Sequence, residues 1–219
     1  MKPEPRLLEL HDRLLAAFGP QRWWPGETPL EVLVGAVLTQ NTNWGNVERA
    51  IANLKDRDLL SLAALRGLPL AELASLIRPA GYYNLKADRL RNLLDLLHEH
   101  HGDDWEGVFA LPLMAARQRL LAAKGVGPET ADSILLYAGG RPSFVIDAYT
   151  FRVLTRHGLG RDLDYHGLRD LFMASLPPAA PLYNEFHALL VRLGKDHCKK
   201  SRPLCENCPA RGWAEAVYE

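Results

Sequence analysis

Three cysteines lie close together near the carboxyl end of the sequence, at Cys198, Cys205 and Cys208, and the 219 residues contain no other cysteine. Three clustered thiols are too few for the disulfide framework of a secreted protein, whereas closely spaced thiolates are typical metal ligands. The cluster therefore predicts a metal site in a reducing compartment, and we expect the protein to be cytoplasmic.

A second group of residues could bind phosphate. Gly125 and Gly127 flank Val126 in a short turn between two segments of helical character, and Pro128 opens the second segment. Glycine lets the backbone approach a ligand closely, so amide groups at the start of that helix can point toward a phosphate oxygen. The pattern predicts a sequence-independent contact with the DNA backbone, although an ordinary connection between two helices has the same residues.

A single aspartate, Asp147, follows an apolar run at residues 144–146, about twenty residues after the turn. The run should be buried and should place the carboxylate at the start of the next helix. A carboxylate in that position can cap the helix, a role worth about 1 kcal/mol. Capping is therefore the alternative to a catalytic role for Asp147.

The elements that position these residues are predicted to be helices. Thr28, Pro29 and Glu31 have the pattern of a capping box with proline at the first helical position, and the apolar run that follows at residues 32–38 favours a helix in the middle of a bundle. Alternation with period two is nearly absent, so we predict an all-α fold. Apolar residues recur at helical spacing in residues 7–18, 44–54, 90–97, 134–138, 168–172 and 182–193.

Composition limits the classes of protein to which this sequence can belong. Hydrophobic residues make up 47% and charged residues 24%, as in folded globular proteins. Lys plus Arg equals Asp plus Glu at 26 each, so an anionic partner must contact a local basic patch, which excludes a globally basic nucleic-acid coat protein. We expect neither export nor a membrane span, because no signal-like segment and no apolar run of about 18 residues is present.

Four separated segments agree in order with one family. Residues 38–42 (Leu-Thr-Gln-Asn-Thr), residues 81–87 (Gly-Tyr-Tyr-Asn-Leu-Lys-Ala), the Gly-Val-Gly turn and the segment that ends at Asp147 resemble the helix-hairpin-helix DNA glycosylase superfamily, in its endonuclease III branch. The resemblance covers most of the chain. It implies two helical lobes with a DNA-binding cleft between them: residues 27–139 as a six-helix barrel that ends with the hairpin, and residues 1–26 with 140–219 as the second lobe.

The resemblance also implies roles for individual residues. Asp147 carries over as the catalytic carboxylate that stabilises positive charge on the deoxyribose as the damaged base leaves. Gln40 resembles the residue that fills the gap left by the extruded nucleotide, and Tyr82 lies where the family has a wedge between bases; their structural alternatives are a helix-end amide and a core tyrosine. The remaining residues expected to contact double-stranded DNA are Gly125, Val126, Gly127 and Thr130 of the hairpin, and Lys199 and Lys200 of a basic cluster that also contains Lys195 and Arg202. The alternative for the basic cluster is a solvated loop.

One position departs from the family pattern. Bifunctional endonuclease III enzymes have a lysine nucleophile two residues after the last hairpin glycine, and this sequence has Glu129 there. A carboxylate cannot form the Schiff base of the lyase reaction. The segment instead resembles the bacterial 3-methyladenine glycosylase group, which implies a monofunctional enzyme acting through water. The alternatives are a bifunctional glycosylase/lyase that uses another lysine such as Lys195, and a non-catalytic DNA-binding protein.

Three side chains are candidates for the base pocket: Glu129, Trp44 and Tyr149. Aromatic faces and an anion favour a positively charged alkylated purine over a neutral oxidised base. Aromatic residues at helical spacing also commonly belong to the core. We expect the substrate to be duplex DNA with a damaged base and the protein to act as a monomer.

The cysteine spacing, C-x6-C-x2-C, is similar to the iron–sulfur loop of endonuclease III, but the fourth cysteine position of that loop is Ala214 here. The resemblance implies a [4Fe–4S] cluster held by Cys198, Cys205 and Cys208, with His197 or a nearby carboxylate as a conceivable fourth ligand. Zinc, or no metal, is the alternative.

Overall fold

A computed structural model gives the fold, and it describes residues 2–21, 23 and 26–214. Over those residues the secondary structure is helical with no β-strand, which confirms the all-α prediction. No helix in the same residues is both long enough and apolar enough to cross a lipid bilayer. The α-helices are α1 (Arg6–Phe18), α2 (Pro29–Leu38), α3 (Trp44–Lys55), α4 (Leu62–Gly67), α5 (Leu70–Leu76), α6 (Tyr83–His101), α7 (Leu113–Leu121), α8 (Pro128–Ser133), α9 (Ala148–Arg156), α10 (Tyr165–Ser175) and α11 (Ala180–Asp196).

The chain divides into two compact units. One unit, which we call the central unit, is the continuous stretch Pro25–Arg141, and it contains α2 to α8. The other, the terminal unit, joins the two chain ends, Met1–Trp24 and Pro142–Glu219, and it contains α1 and α9 to α11. Hairpin glycines and Asp147 therefore belong to different units.

Helix α2 lies in the core of the central unit, as the sequence predicts, and packs against α3, α6 and α8. Its start is capped by Thr28, whose hydroxyl accepts a hydrogen bond from the Glu31 amide at 3.2 Å. The second half of the predicted capping box is wrong: the Glu31 carboxylate accepts from the Glu27 amide, not from Thr28, and it also forms an ion pair with Lys55 at 2.9 Å.

A buried ion pair attaches α8, the second helix of the hairpin, to α7. Arg117 on α7 donates from Nε and Nη2 to the two carboxylate oxygens of Asp132, at 2.9 and 3.0 Å. Both side chains are buried, so the two parallel hydrogen bonds offset the cost of removing the charges from water. After Ser133 the helix widens into a π-helical segment, Ile134–Ala138, that packs against α2.

The core of the terminal unit is aromatic. Phe144 stacks on Phe172 of α10 with ring centroids 3.9 Å apart, and Tyr183 and Phe186 of α11 contact the Phe144 ring edge-on. Phe144, Val145 and Ile146 are all buried, as predicted for the apolar run. The packing fixes the backbone immediately before Asp147 and thereby the start of α9.

Candidate functional site

Asp147 is the N-cap of α9, so the capping role that the sequence suggests is present. Its Oδ1 atom accepts a hydrogen bond from the Thr150 amide at 2.7 Å, which fixes the side-chain rotamer. The side chain is 14% exposed, so the carboxylate is mostly shielded yet still reaches the surface. A cap of this kind uses one oxygen and leaves the other available for further interactions.

The second carboxylate oxygen lies beside a histidine that the sequence analysis did not single out. Nε2 of His187, on α11, is 3.7 Å from Oδ2 of Asp147. Burial lowers the pKa of His187, and the nearby Asp147 carboxylate opposes part of that shift. The neutral imidazole is therefore favoured at neutral pH. The available signal was its place on the buried stripe of α11, next to Phe186 and three residues before Leu190.

Tyr149, a base-pocket candidate, is half-buried against α11. A Cβ atom on Gly194 would come within 2.5 Å of the tyrosine ring, so this close packing requires glycine. The guanidinium of Arg152 lies 5.1 Å from the centre of the same ring and donates to the backbone carbonyls of Gly194 at 3.1 Å and Cys198 at 2.7 Å. The helix that begins at Asp147 is thus attached to the segment that carries the cysteines.

In the central unit, the two hairpin glycines have different structural requirements. Gly125 has a φ angle of 97°, and a Cβ atom there would lie 2.3 Å from Cγ of Arg89. Gly127 has an ordinary φ angle of −91° with open space where a Cβ would be, and it is the N-cap of α8. Val126 between them is buried. The fold therefore requires glycine only at position 125. Gly127 has no side chain that could cover the start of α8.

Gln40 is joined to this hairpin by hydrogen bonds. Its Nε2 atom donates to the Gly125 carbonyl at 3.2 Å and to the buried hydroxyl of Thr130 at 2.9 Å. Its Oε1 atom accepts a hydrogen bond from Arg89. Three of the residues predicted to contact DNA, Gln40, Gly125 and Thr130, therefore lie together.

Tyr82 is 72% exposed, so the alternative of a core tyrosine is wrong. It precedes α6 with a φ angle of 46°, in the left-handed region that non-glycine residues rarely occupy. Nearby, the ammonium of buried Lys86 donates to the carbonyls of Leu38 and Ala80, both at 2.8 Å, and desolvation lowers the pKa of Lys86 to about 8. One side chain thereby joins the end of α2 to the turn before Tyr82.

The other two base-pocket candidates lie at helix starts in the central unit. Trp44 is the first residue of α3 and is half-buried, with its ring 3.3 Å from the place of a Cβ on Gly35 of α2. Packing on α2 thus accounts for one face of the indole. Glu129 is exposed in the first turn of α8, where a negative charge interacts favourably with the helix dipole.

All three cysteines line one pocket of about 50 Å³ in the terminal unit, together with Arg156, His157 and His197. Cys198 is buried, whereas Cys205 and Cys208 are partly exposed. Burial raises the pKa of the Cys208 thiol, and the neighbouring Cys198 and Cys205 add to that shift. Among the described residues, no group of three or more His, Cys, Asp or Glu side chains could hold a single metal ion between them.

The predicted basic cluster adjoins this pocket. Lys199 and Lys200 are exposed, and their backbone carbonyls accept hydrogen bonds from Arg156 at 2.6 and 2.9 Å. Arg156 also donates to Sγ of Cys198 at 3.4 Å. The arginine therefore fixes the backbone from which both lysine side chains project into solvent.

Comparison with known proteins places the chain in a family. Residues 34–178 match the HhH-GPD superfamily of base excision DNA repair proteins, and the chain belongs to that superfamily. One relative is MJ1434 of Methanocaldococcus jannaschii, a protein named by inference as a DNA repair glycosylase. The two chains are 46% identical over 207 residues that cover 94% of each.

Solved structures agree with this assignment. The H. pylori 3-methyladenine DNA glycosylase MagIII bound to 1,N6-ethenoadenine is 29% identical with a TM-score of 0.74, over 88% of this chain and 98% of MagIII. An endonuclease III in a non-covalent DNA complex has a TM-score of 0.81 at 24% identity, over 98% and 96% of the two chains. The latter likeness supports the fold alone.

The different demands on the two hairpin glycines give a matched pair of variants. Gly125→Ala should destabilise the protein by about 2 kcal/mol or more, because a methyl group strains a left-handed backbone and overlaps Arg89. Gly127→Ala should cost no more than about 1 kcal/mol, the difference between glycine and alanine at an N-cap. Urea unfolding measures both. Equal stability of the two variants would contradict the assigned backbone roles.

Proposed function

We propose that the protein is a monofunctional DNA glycosylase, which hydrolyses the N-glycosidic bond of a damaged base that has been flipped out of duplex DNA. The observation that carries this proposal is the state of Asp147, a largely shielded carboxylate with a fixed rotamer and one oxygen beside a buried histidine. Membership in a base excision repair superfamily supports the same class of reaction.

The proposed mechanism follows from charge. As the base leaves, the deoxyribose gains oxocarbenium character, and a preorganised anion in a poorly solvated site stabilises it. Asp147 supplies that anion and orients the attacking water. Because burial keeps His187 neutral, the imidazole next to Oδ2 does not cancel the negative charge that the reaction needs.

The proposed DNA contacts lie in the central unit. The hairpin at Gly125 and Gly127 would contact backbone phosphates. Tyr82 would act as the wedge between bases, and its exposure on a left-handed backbone supports that role. Gln40 would fill the gap after base flipping. Its hydrogen bonds to the Gly125 carbonyl and to Thr130 support a coupling between gap filling and phosphate binding. Lys199 and Lys200 would add phosphate contacts from the terminal unit.

Glu129 supports hydrolysis without lyase chemistry. It stands where bifunctional relatives have their lysine nucleophile, and a carboxylate cannot form an imine with the sugar. The proposed substrate is an alkylated purine. Likeness to MagIII, a 3-methyladenine DNA glycosylase, favours this lesion class, and the aromatic faces of Tyr149 and Trp44 suit a cationic base.

We further propose that Cys198, Cys205 and Cys208 bind a [4Fe–4S] cluster. The C-x6-C-x2-C spacing and the presence of the three thiols in one pocket support it, and Arg156, which also lines the pocket, donates a hydrogen bond to Cys198. When bound, the cluster would crosslink the segment that carries Lys199 and Lys200. We also propose that the protein acts as a monomer in the cytoplasm, associated with the nucleoid through DNA, because a reducing compartment keeps thiols available as metal ligands.

The lesion preference is tested with single-lesion duplexes. Release of free 3-methyladenine should exceed release of oxidised pyrimidines, because the proposed pocket offers aromatic faces and an anion to a positively charged base. Chromatography of the released bases measures both rates at equal enzyme concentration. The reverse order would reject the alkylated-purine assignment without affecting the glycosylase proposal.

The substitution Asp147→Asn removes the negative charge of the side chain but keeps an oxygen that can cap α9. Asparagine keeps an oxygen that accepts from the Thr150 amide, so stability should change by less than about 1 kcal/mol. Loss of the anion should reduce base release by at least about 100-fold, the scale of one preorganised electrostatic group. Binding to lesion DNA should persist in an anisotropy assay. If Asp147→Asn excises bases at the wild-type rate, the protein is not the proposed enzyme.

Borohydride trapping distinguishes the monofunctional from the bifunctional reaction. The wild-type protein should form no covalent adduct with lesion DNA, because Glu129 supplies no amine. Denaturing electrophoresis detects such an adduct, and an endonuclease III serves as the positive control. A trapped adduct that disappears in Lys195→Gln would instead establish a lyase that uses Lys195.

A further inference from the structure

The pocket that contains the three cysteines also contains the rings of His157 and His197. In each ring, Nδ1 is buried and lacks a hydrogen-bond partner among the described residues. Leaving a buried polar atom unsatisfied costs roughly 1–3 kcal/mol. Two such nitrogens beside three thiols therefore indicate that the pocket binds a group that accepts nitrogen as well as sulfur ligands.

His157 is distinguished by its contact with Ala214. The histidine lies directly after α9, and its ring is hydrogen-bonded to the backbone of Ala214. It also packs edge-on against Trp213, with ring centroids 5.3 Å apart. Ala214 is six residues after Cys208, at the position where the endonuclease III loop has its fourth cysteine. The imidazole thus lies against the residue that replaces the missing thiolate.

The hydrogen-bond pattern of His157 is that of a metal ligand. A ligating histidine almost always uses its other ring nitrogen to contact a backbone carbonyl, a carboxylate or water, which fixes the tautomer and the ring orientation. The bond to Ala214 provides that support and leaves Nδ1 for a metal. His197 is oriented differently, since its ring packs against Phe18 with centroids 5.8 Å apart.

We propose that Nδ1 of His157 supplies the fourth ligand, so that His157, Cys198, Cys205 and Cys208 together hold the [4Fe–4S] cluster. On binding, each thiol releases its proton to solvent and His157 coordinates as the neutral imidazole, with no change in oxidation state. The proposal rests on cluster binding at the cysteine segment and is independent of the glycosylase activity.

Fixed positive charge lies near the ligands and interacts favourably with an anionic ligand set. Arg156 immediately precedes His157 and donates to Sγ of Cys198, and Arg211 also lines the pocket. Three thiolates and one neutral imidazole carry one negative charge less than four thiolates. The same substitution of histidine for cysteine raises the reduction potential of iron–sulfur centres.

The test uses the full chain, expressed with iron and purified without oxygen. Iron and sulfide per chain are measured for the wild type, His157→Ala, His157→Cys and the matched control His197→Ala. Circular dichroism confirms folding. His157→Ala should lose iron to a chelator at least about tenfold faster than the wild type, since even supporting groups of metal sites have effects of this size. His197→Ala should retain iron like the wild type.

Two further readouts separate ligation from packing. The EPR spectrum of the reduced wild-type cluster should show nitrogen hyperfine coupling that is absent from His157→Cys, and the potential of His157→Cys should be lower. In the His157→Ala background, Ala214→Cys should restore iron retention, because it supplies the missing thiolate at the expected position.

Several outcomes would overturn the proposal. A wild-type cluster without nitrogen coupling, or iron retention that depends on His197 and not on His157, excludes His157 as the ligand while leaving the cluster intact. Wild-type protein that contains zinc, or no metal, refutes the cluster itself. Base release from lesion DNA, assayed on the same preparations, shows separately whether the glycosylase proposal holds.

Discussion

The hydrogen bond from the Thr150 amide to Asp147 is the interaction on which the proposed chemistry depends. It joins the first turn of α9 to the carboxylate that we propose is catalytic, at 2.7 Å, and it holds that carboxylate in a single rotamer. The observed cap is therefore compatible with the proposed catalytic role of Asp147. A cap uses one oxygen, and the orientation it imposes presents the second oxygen to the neighbouring groups.

Helix α11 provides the support for this arrangement. It carries Phe186, which packs on Phe144 in the core, and His187, which lies beside Asp147. About two turns further on, Gly194 leaves room for the Tyr149 ring. Three residues of one helix thus contact, in turn, the apolar run before Asp147, Asp147 itself and the first turn of α9. Such a preorganised site needs little rearrangement when charge develops on a substrate.

Local patterns predicted much of the fold, and long-range contacts account for what they missed. Helical periodicity and the Thr28 cap are properties of short segments, so the all-α fold and the buried α2 could be predicted. The partners of Glu31, by contrast, depend on Lys55 on another helix and on Glu27 outside the capping box. In the sequence, His187 is one of several residues on the buried face of α11. Only tertiary packing brings it next to Asp147. The sequence also could not show which hairpin glycine is required, because the side chain that would overlap a Cβ on Gly125 is Arg89 on α6.

The contacts of Arg152 indicate how oxidation of a cysteine would affect α9. Its guanidinium contacts the Tyr149 ring and donates to the backbone of both Gly194 and Cys198, so one side chain bridges the aspartate helix and the thiol-bearing segment. Conversion of Cys198 to a sulfinic or sulfonic acid would add bulk and charge at the end of that bridge. Damage to a sulfur atom would then be transmitted to α9, the helix that begins at Asp147.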